Sequence, residues 1–286
     1  MITLSAYAKI NLTLEVLGKR NDGYHEITSI LQTINLADVL TFEPADEIKF
    51  VCKNSTVENV NLIEKPILEA ARLLQKETGS NQGALIQMES MGIPRAAGLG
   101  SSSTDPATAL KGLNELWSLG LSADTLAELA SKIGSDTPFF VYGGTVLAQG
   151  RGERITRIPS PPTTWLVLVQ PPIEPVLNKT AKMYGKLDRS HFTSGELTKR
   201  LVKELHSQKS LQSYLLCNTF ECIAFDFFEQ LNDHRAMFRT AGAESVHLSG
   251  AGPSLFTLVE NELQGELLAS RLKEQGLQSY VIQTIQ

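Results

Sequence analysis

The sequence predicts an α+β protein of two domains. Strand-like and helix-like patterns alternate through the first half, and the second half carries strands on either side of a long helical region. Between them the segment PSPPTT, Pro159 to Thr164, interrupts both patterns and marks the domain boundary. With 286 residues and 42% hydrophobic content the chain can build a substantial core, and the expected domains are 1–158 and 159–286.

In chain order, Ile2 to Val16 reads as a strand, Ile27 to Phe42 as two further strands around a turn, and Glu47 to Cys52 as another. A helix is predicted from about Leu62 to Thr78, because Ile67, Leu68, Ala71 and Leu74 recur at helical spacing and Gly79 stops it. Ala84 to Glu89 is a strand leading into PRAAGLGSSSTD, Pro94 to Asp105, after which Ala107, Leu110, Leu113 and Trp117 mark a helix. Ser122 caps a helix carrying Leu126, Leu129 and Ile133, which Gly134 ends. Phe139 to Ala148 and Arg154 to Ile158 read as a hairpin. Beyond the boundary come a strand, Trp165 to Gln170, helical segments from about Lys179 to Phe238, and strands at Ser245 to Leu248 and Leu255 to Val259. A helix from Glu262 to Gln275 and a strand from Ser279 to Gln283 complete the pattern, without internal repeat or low-complexity tract.

Composition narrows the partners. A net charge of −5 and the absence of a sustained Lys/Arg patch argue against nucleic acid. Cys52, Cys217 and Cys222 have no zinc spacing and read as reduced thiols. The N-terminus enters a strand pattern at once, with Lys9 interrupting any apolar run, and no uninterrupted apolar run of about 18 residues occurs. A cytoplasmic protein without signal peptide or membrane span is expected, as a monomer or weak homodimer, and the sequon at Asn54 to Thr56 has no glycosylation context.

Pro94 to Asp105 has the make-up of a phosphate cradle. Gly98 and Gly100 let the backbone approach a ligand, Ser101, Ser102, Ser103 and Thr104 supply hydroxyls, and the helix that follows begins with amide hydrogens that have no intrahelical partner. Pro106 fits the first helical turn, where its missing N–H is not needed. The loop is not a Walker A motif, since no Lys-Ser or Lys-Thr pair follows its last glycine, and Ser103 stands where GxGxxG needs its third glycine. An ordinary capped turn is the alternative for such a loop taken alone.

Two more segments bear on it. AKINLTLEVLGKRNDGYHEI, Ala8 to Ile27, and LSGAGPSLFTL, Leu248 to Leu258, flank the Ser/Gly loop, and the three together resemble the three motifs of the GHMP kinases, the superfamily of galactokinase, homoserine kinase and mevalonate kinase. Lys9, Asn11 and Leu12 followed by Asp22, Gly23, Tyr24 and His25 resemble the branch that phosphorylates the C2 hydroxyl of a cytidine-diphosphate conjugate of methylerythritol, in the non-mevalonate route to isoprenoid precursors. GSDTPFF, Gly134 to Phe140, is similar to that branch's GADVPFF. The resemblance implies a two-domain GHMP kinase fold, with an N-terminal domain like ribosomal protein S5 domain 2 and a ferredoxin-like α+β C-terminal domain. It also implies ATP held along Pro94, Arg95, Ala96, Ala97, Gly98, Leu99, Gly100, Ser101, Ser102, Ser103 and Thr104, and Mg2+ is expected because phosphoryl transfer from ATP needs its charge screened.

Phosphoryl transfer asks for positioning, charge neutralisation and a base near the attacking hydroxyl. Asp136 is the candidate base; an aspartate that merely caps a helix is the alternative. Lys9, inside an otherwise apolar strand pattern, either points to solvent or meets a partner, and the resemblance places the matching lysine beside the aspartate. A cytosine ring asks for an aromatic face and polar groups at its edge, which Tyr24 and His25 offer after the Asp22–Gly23 turn. Asn11 and Tyr184 are the further substrate-binding candidates, Tyr184 being equally readable as the core of a short helix. Gly250 and Gly252, in the loop Gly250 to Pro253, either present amides to an anion or turn the chain. His191, His206, His234 and His247 show no partner pattern. Asp105 is either near the metal or a first-turn helix charge, and Arg95 either adds a charge to the nucleotide site or is solvated.

The loop departs from the resemblance where Ala96, Ser101 and Ser102 replace glycines, although the serines match the GLGSS of other GHMP kinases. A GHMP kinase for another small alcohol, of homoserine or mevalonate type, and a GHMP-fold ligand sensor without catalysis are the competing readings. Tyr24, His25 and Tyr184 separate the first from the leading reading, since those alcohols have no base to stack.

Overall fold

The computed structural model describes residues 1–53 and 60–286, so the sequon at Asn54 lies outside the described residues. The chain forms two compact units, each assembled from three chain segments. Unit 1 comprises Met1–Ala8, Leu36–Arg95 and Gly100–Gly143; unit 2 comprises Lys9–Asn35, Ala96–Leu99 and Gly144–Gln286. The expected division at 158/159 is therefore a division of sequence and not of packing. Its physical cause is the length of the first two strands, β1 (Ile2–Lys19) and β2 (His25–Ala45), each of which supplies residues to both units. β2 runs unbroken where two strands around a turn were expected.

In unit 1, β3 (Ile48–Cys52) is followed by helix α1 (Asn61–Thr78) and strand β4 (Gly83–Met91). β4 pairs in parallel with β3 and antiparallel with Asp38–Ala45 of β2. One face of α1, with Ile63, Ile67, Ala70, Ala71 and Leu74, is buried, and Gly79 ends the helix in the left-handed conformation at φ 71°. α2 (Ser101–Leu116) packs against α1. It also lies close on the sheet, since a Cβ at Gly112 would stand 2.4 Å from the Phe42 ring. Ser122 caps α3 (Ala123–Ser131), its hydroxyl accepting from Thr125 N at 3.2 Å. Thr137–Tyr142 forms the short helix α4, not the first strand of a hairpin. Its residues Thr137 to Val141 are all buried, so the aromatic run satisfies a helix packed on every side as well as it would a strand.

In unit 2, the hairpin consists of β5 (Thr145–Gly150) and β6 (Arg154–Arg157), with β5 pairing to Ile27–Gln32 of β2. β7 (Trp165–Gln170) follows. The expected helical stretch from Lys179 onward divides into α5 (Lys179–Gly185), α6 (Glu196–His206), the two-residue strand β8 (Cys217–Asn218), α7 (Glu221–Phe227) and α8 (Leu231–Thr240). β8 pairs with Thr13 and Leu14 of β1. β9 (His247–Leu248), β10 (Leu255–Val259), helix α9 (Glu262–Glu274) and β11 (Gln278–Gln283) complete the unit. β7, β9, β10 and β11 form an antiparallel sheet in the order β11-β7-β10-β9. Its core includes Val167, Val169, Leu255, Phe220, Phe238, Leu268 and Leu272. Residues 283–285 are tied back to β2: Gln32 Nε2 donates to Ile285 O at 2.8 Å, Ile285 N to Thr33 O at 2.9 Å, and Gln283 N to Asn35 Oδ1 at 2.8 Å.

Candidate active site

The glycine-rich loop is shared between the units, with Ala96–Leu99 in unit 2 and the residues on either side in unit 1. In unit 1, Gly100 caps α2 in the left-handed conformation (φ 82°) and no side chain closes the helix end. The first amides of α2, at Ser101 and Ser102, thus stand without an intrahelical acceptor, as an anion site requires. Ser101 is buried, Ser102 exposed, Ser103 half-buried, and Thr104 Oγ1 donates to Tyr7 O at 2.8 Å.

Arg95, from the start of the loop, does not present its charge outward. Its guanidinium lies 2.7 Å from Asp105 Oδ2 and 2.8 Å from the Oδ2 of fully buried Asp38. Asp38 accepts from Ile93 N at 2.9 Å and thereby ties the loop to β2. Burial pushes the Asp105 carboxyl up to about 7, the Arg95 charge opposing the shift and the neighbouring Asp38 adding to it. Burial likewise raises Asp38. Asp105 is thus a partner of Arg95 rather than a first-turn charge facing solvent, and its first oxygen has no hydrogen-bond partner among the described residues.

In unit 2, the loop Ala96–Leu99 meets the third motif backbone to backbone. Gly98 (φ 84°) has no room for a side chain, since a Cβ would stand 2.1 Å from Ser249 O. Ser249 Oγ donates to Gly98 O at 3.1 Å and Ser254 N to Ala97 O at 3.3 Å. Gly250 and Gly252 are left-handed (φ 54° and 69°), and Asn218 Nδ2 holds the loop through Leu248 O at 2.9 Å and Gly250 O at 2.8 Å. Ala96, one of the departures from the glycine pattern, also stands at positive φ, 52°.

Lys9 is buried and takes part in this arrangement. Its amide donates to Leu99 O at 3.0 Å, and its Nζ donates to Asn11 Oδ1 at 2.6 Å and to Gly98 O at 3.1 Å. Asn11 spends both ends of its amide inside the protein, since Nδ2 donates to Ser29 Oγ at 2.9 Å and Ser29 donates on to Thr13 O at 2.5 Å. That chain fixes the lysine in one orientation. Asp136, in unit 1, precedes α4 in the cap position (φ −85°, ψ −14°), yet its side chain makes no capping bond. The purely capping role weighed for it therefore has no hydrogen bond behind it. Lys9 and Asp136 fall in different units.

The aromatic candidates all lie in unit 2. His25 and Tyr184 stack with ring centroids 4.9 Å apart and planes 18° apart, and Tyr184 meets Phe220 edge-on at 4.8 Å. Burial, with Lys19 nearby, lowers the His25 pKa and favours the neutral ring. Tyr24 is 54% exposed, and the Arg151 guanidinium lies 4.7 Å from its ring centroid.

Arg151, Asp38 and Lys179 were not singled out by the sequence. Lys179 opens α5, and its Nζ donates to Ala96 O at 2.6 Å and to Gly252 O. Its one signal in the sequence is its place in the same short segment as Tyr184. Among the described residues no cluster of three or more His, Cys, Asp or Glu suited to a metal ion occurs, and no helix is long and apolar enough to cross a membrane.

Residues 61–144 match the family model for the GHMP kinases N-terminal domain and residues 196–278 that for the GHMP kinases C-terminal domain. A 4-diphosphocytidyl-2-C-methyl-D-erythritol kinase of Dehalococcoides mccartyi is 40% identical over 286 residues, covering 100% of this chain and 99% of the relative. One of Geobacillus kaustophilus is 39% identical over 265 residues, covering 91% and 89%. The crystal structure of a 4-(cytidine 5′-diphospho)-2C-methyl-D-erythritol kinase superposes with a TM-score of 0.82 at 28% identity, covering 99% of each chain. The expected GHMP kinase fold is the one found, and the chain belongs to the GHMP kinases and, within them, to the family of the 4-diphosphocytidyl-2-C-methyl-D-erythritol kinases.

Proposed function

We propose that this protein transfers the γ-phosphoryl group of ATP to the C2 hydroxyl of 4-diphosphocytidyl-2-C-methyl-D-erythritol, the substrate named in its relatives. The observation that carries the choice of substrate within the superfamily is the His25–Tyr184 stack. A half-buried pair of flat rings suits a nucleobase, and neither homoserine nor mevalonate has one. A base between two rings separates them to about 7 Å, twice a stacking distance. Insertion therefore exchanges the single contact at 4.9 Å for two ring–base contacts, Tyr184 on one face and neutral His25 on the other.

The chemistry follows from the residues. The Asp136 carboxylate takes the proton of the C2 hydroxyl as its oxygen forms the new bond to phosphorus, and the bond from that phosphorus to the β–γ bridging oxygen breaks, releasing ADP. Lys9, oriented by Asn11, favours the alkoxide-like oxygen that develops. Uncapped amides of α2 and the left-handed glycines 98 and 100 suit the ATP phosphates, so the residues present fit the nucleotide. Mg2+, when bound, would screen the phosphate charge, and the hydroxyls of Ser101 and Ser102 at the start of α2 are the side chains that would hold it, since the described residues include no carboxylate cluster suited to a metal ion. We place the enzyme in the cytoplasm as a monomer or weak homodimer without a nucleic-acid partner, the net charge of −5 supporting the last point.

The test is ATP turnover with the cytidyl conjugate beside homoserine and mevalonate, for wild type and Asp136→Asn. Turnover is expected with the cytidyl conjugate alone and should fall by about 10²–10⁴ in the variant, with ADP affinity kept. Turnover with another alcohol instead would overturn the substrate; nucleotide binding without turnover of any would turn the reading to a ligand sensor.

A further inference from the structure

Lys179 is a half-buried cation whose hydrogen-bond acceptors among the described residues are neutral. Two of the three protons of its ammonium go to carbonyl oxygens, Ala96 O in the glycine-rich loop and Gly252 O in the third motif. For the third proton the described residues supply no acceptor, and no carboxylate among them pairs with the charge. Lys9 donates to Gly98 O, two residues along the same loop, so two ammonium groups converge on one short stretch of backbone carbonyls. Burial, and after it the charge of Lys9, depress Lys179 to about 8, as expected for a cation held where its counter-charge has yet to arrive. Both loops that it joins are of the tight glycine kind that seats anions, and Asn178, left-handed at φ 53°, turns the chain so that the lysine lies against them.

We propose that Lys179 is a phosphoryl-oxygen ligand: it bridges the glycine-rich loop and the third motif through two protons and gives the third, with its charge, to an anionic oxygen of a phosphorylated ligand. The inference rests on the kinase reading above and deepens it, because it names a binding group that the motif residues do not include. Two diphosphates offer the chemistry, that of the nucleotide and that of the cytidyl conjugate.

Calorimetric titration of the full-length protein with ADP and with CDP, and with adenosine and cytidine as phosphate-free controls, tests it in wild type, Lys179→Met and Lys179→Gln. A charge-assisted hydrogen bond corresponds to about ten- to a hundredfold in affinity. That loss is expected in both variants for at least one diphosphate, with the matching nucleoside unaffected. Loss for ADP alone places the oxygen on the nucleotide; loss for CDP alone places it on the acceptor. Unchanged binding of both diphosphates overturns the proposal. So does an equal loss for diphosphate and nucleoside, which would make Lys179 a support for the loops and nothing more. Lys179→Gln keeps a donor of similar reach and serves if the methionine variant does not fold. Wild type binding neither diphosphate would fail the kinase reading itself, a result read before any variant is compared.

Discussion

Replacing Gly98 by alanine adds one methyl group directly against the backbone of the third motif. Two terms oppose it. At φ 84° a residue with a Cβ is strained by about 1–2 kcal/mol. The Cβ would also stand 2.1 Å from Ser249 O, against an ordinary contact near 3.4 Å, so that carbonyl must retreat by about 1.3 Å. Ser249 is not free to do so: its O accepts from Gly252 N at 2.9 Å and its N donates to Ser254 O at 3.0 Å. Giving up both bonds costs about 1 kcal/mol each. The stiffer unfolded chain returns about 0.4–1 kcal/mol, which leaves a net loss of about 3 kcal/mol. Gly120→Ala supplies the control, since Gly120 shares the left-handed conformation (φ 67°) but has nothing within 4 Å of the added carbon, and about 1 kcal/mol is expected there. Urea unfolding of the three proteins measures both values, provided the slopes agree. ADP affinity should fall with Gly98→Ala and not with Gly120→Ala. If Gly98→Ala is no less stable than Gly120→Ala, the loops are not packed as described and the reasoning is wrong.

Lys9→Met should lower kcat by about 10²–10³ with little change in KM, whereas Asn11→Ala, which acts only by orienting Lys9, should cost less; steady-state kinetics with both substrates saturating distinguishes them. Tyr184→Ala should raise KM for the cytidyl acceptor about tenfold and leave KM for ATP unchanged, and equal shifts in both would remove the tyrosine from base recognition. Asp105 gives a pH prediction. Its folded pKa of about 7 exceeds the ordinary 3.8, so between these values the native state holds a proton that the unfolded state releases. Its contribution to stability therefore falls as pH rises from about 4 to 7 and is level above. Thermal midpoints at pH 5 and pH 8 should lie closer together in Asp105→Asn than in wild type; an unchanged gap would place the proton on Asp38.

What the sequence made legible was set by local geometry. Glycines 98, 100, 250 and 252 take conformations that few other residues adopt, so the loops they build were readable from composition alone. The misread elements depended on distant partners. A turn was expected within Ile27–Phe42, but Asn35 accepts from Gln283 N, Asp38 accepts from Ile93 N and lies against Arg95, and the strand continues through both. The run Phe139–Tyr142 looked β-like because its period is masked when every side is buried. Lys179 escaped notice for the same reason as Asp38: its partners lie 83 and 73 residues away.

The pairing of residues 283–285 with β2 bears on how the protein is made. Gln32, Thr33 and Asn35 emerge early in synthesis, yet their hydrogen-bond partners at 283–285 are the better part of the chain behind them. Until residue 285 appears, the Thr33 carbonyl and the side-chain amides of Gln32 and Asn35 lack these partners, and an unpaired strand carbonyl is open to another strand, a hazard for long-range β pairing. Unit 2 cannot close cotranslationally segment by segment, and unit 1, itself in three pieces, borrows from the same two strands. A ribosome stalled at residue 158 would thus display the N-terminal sequence domain with an unfinished second unit attached, and protease resistance of β2 should arrive only once residue 285 has left the exit tunnel.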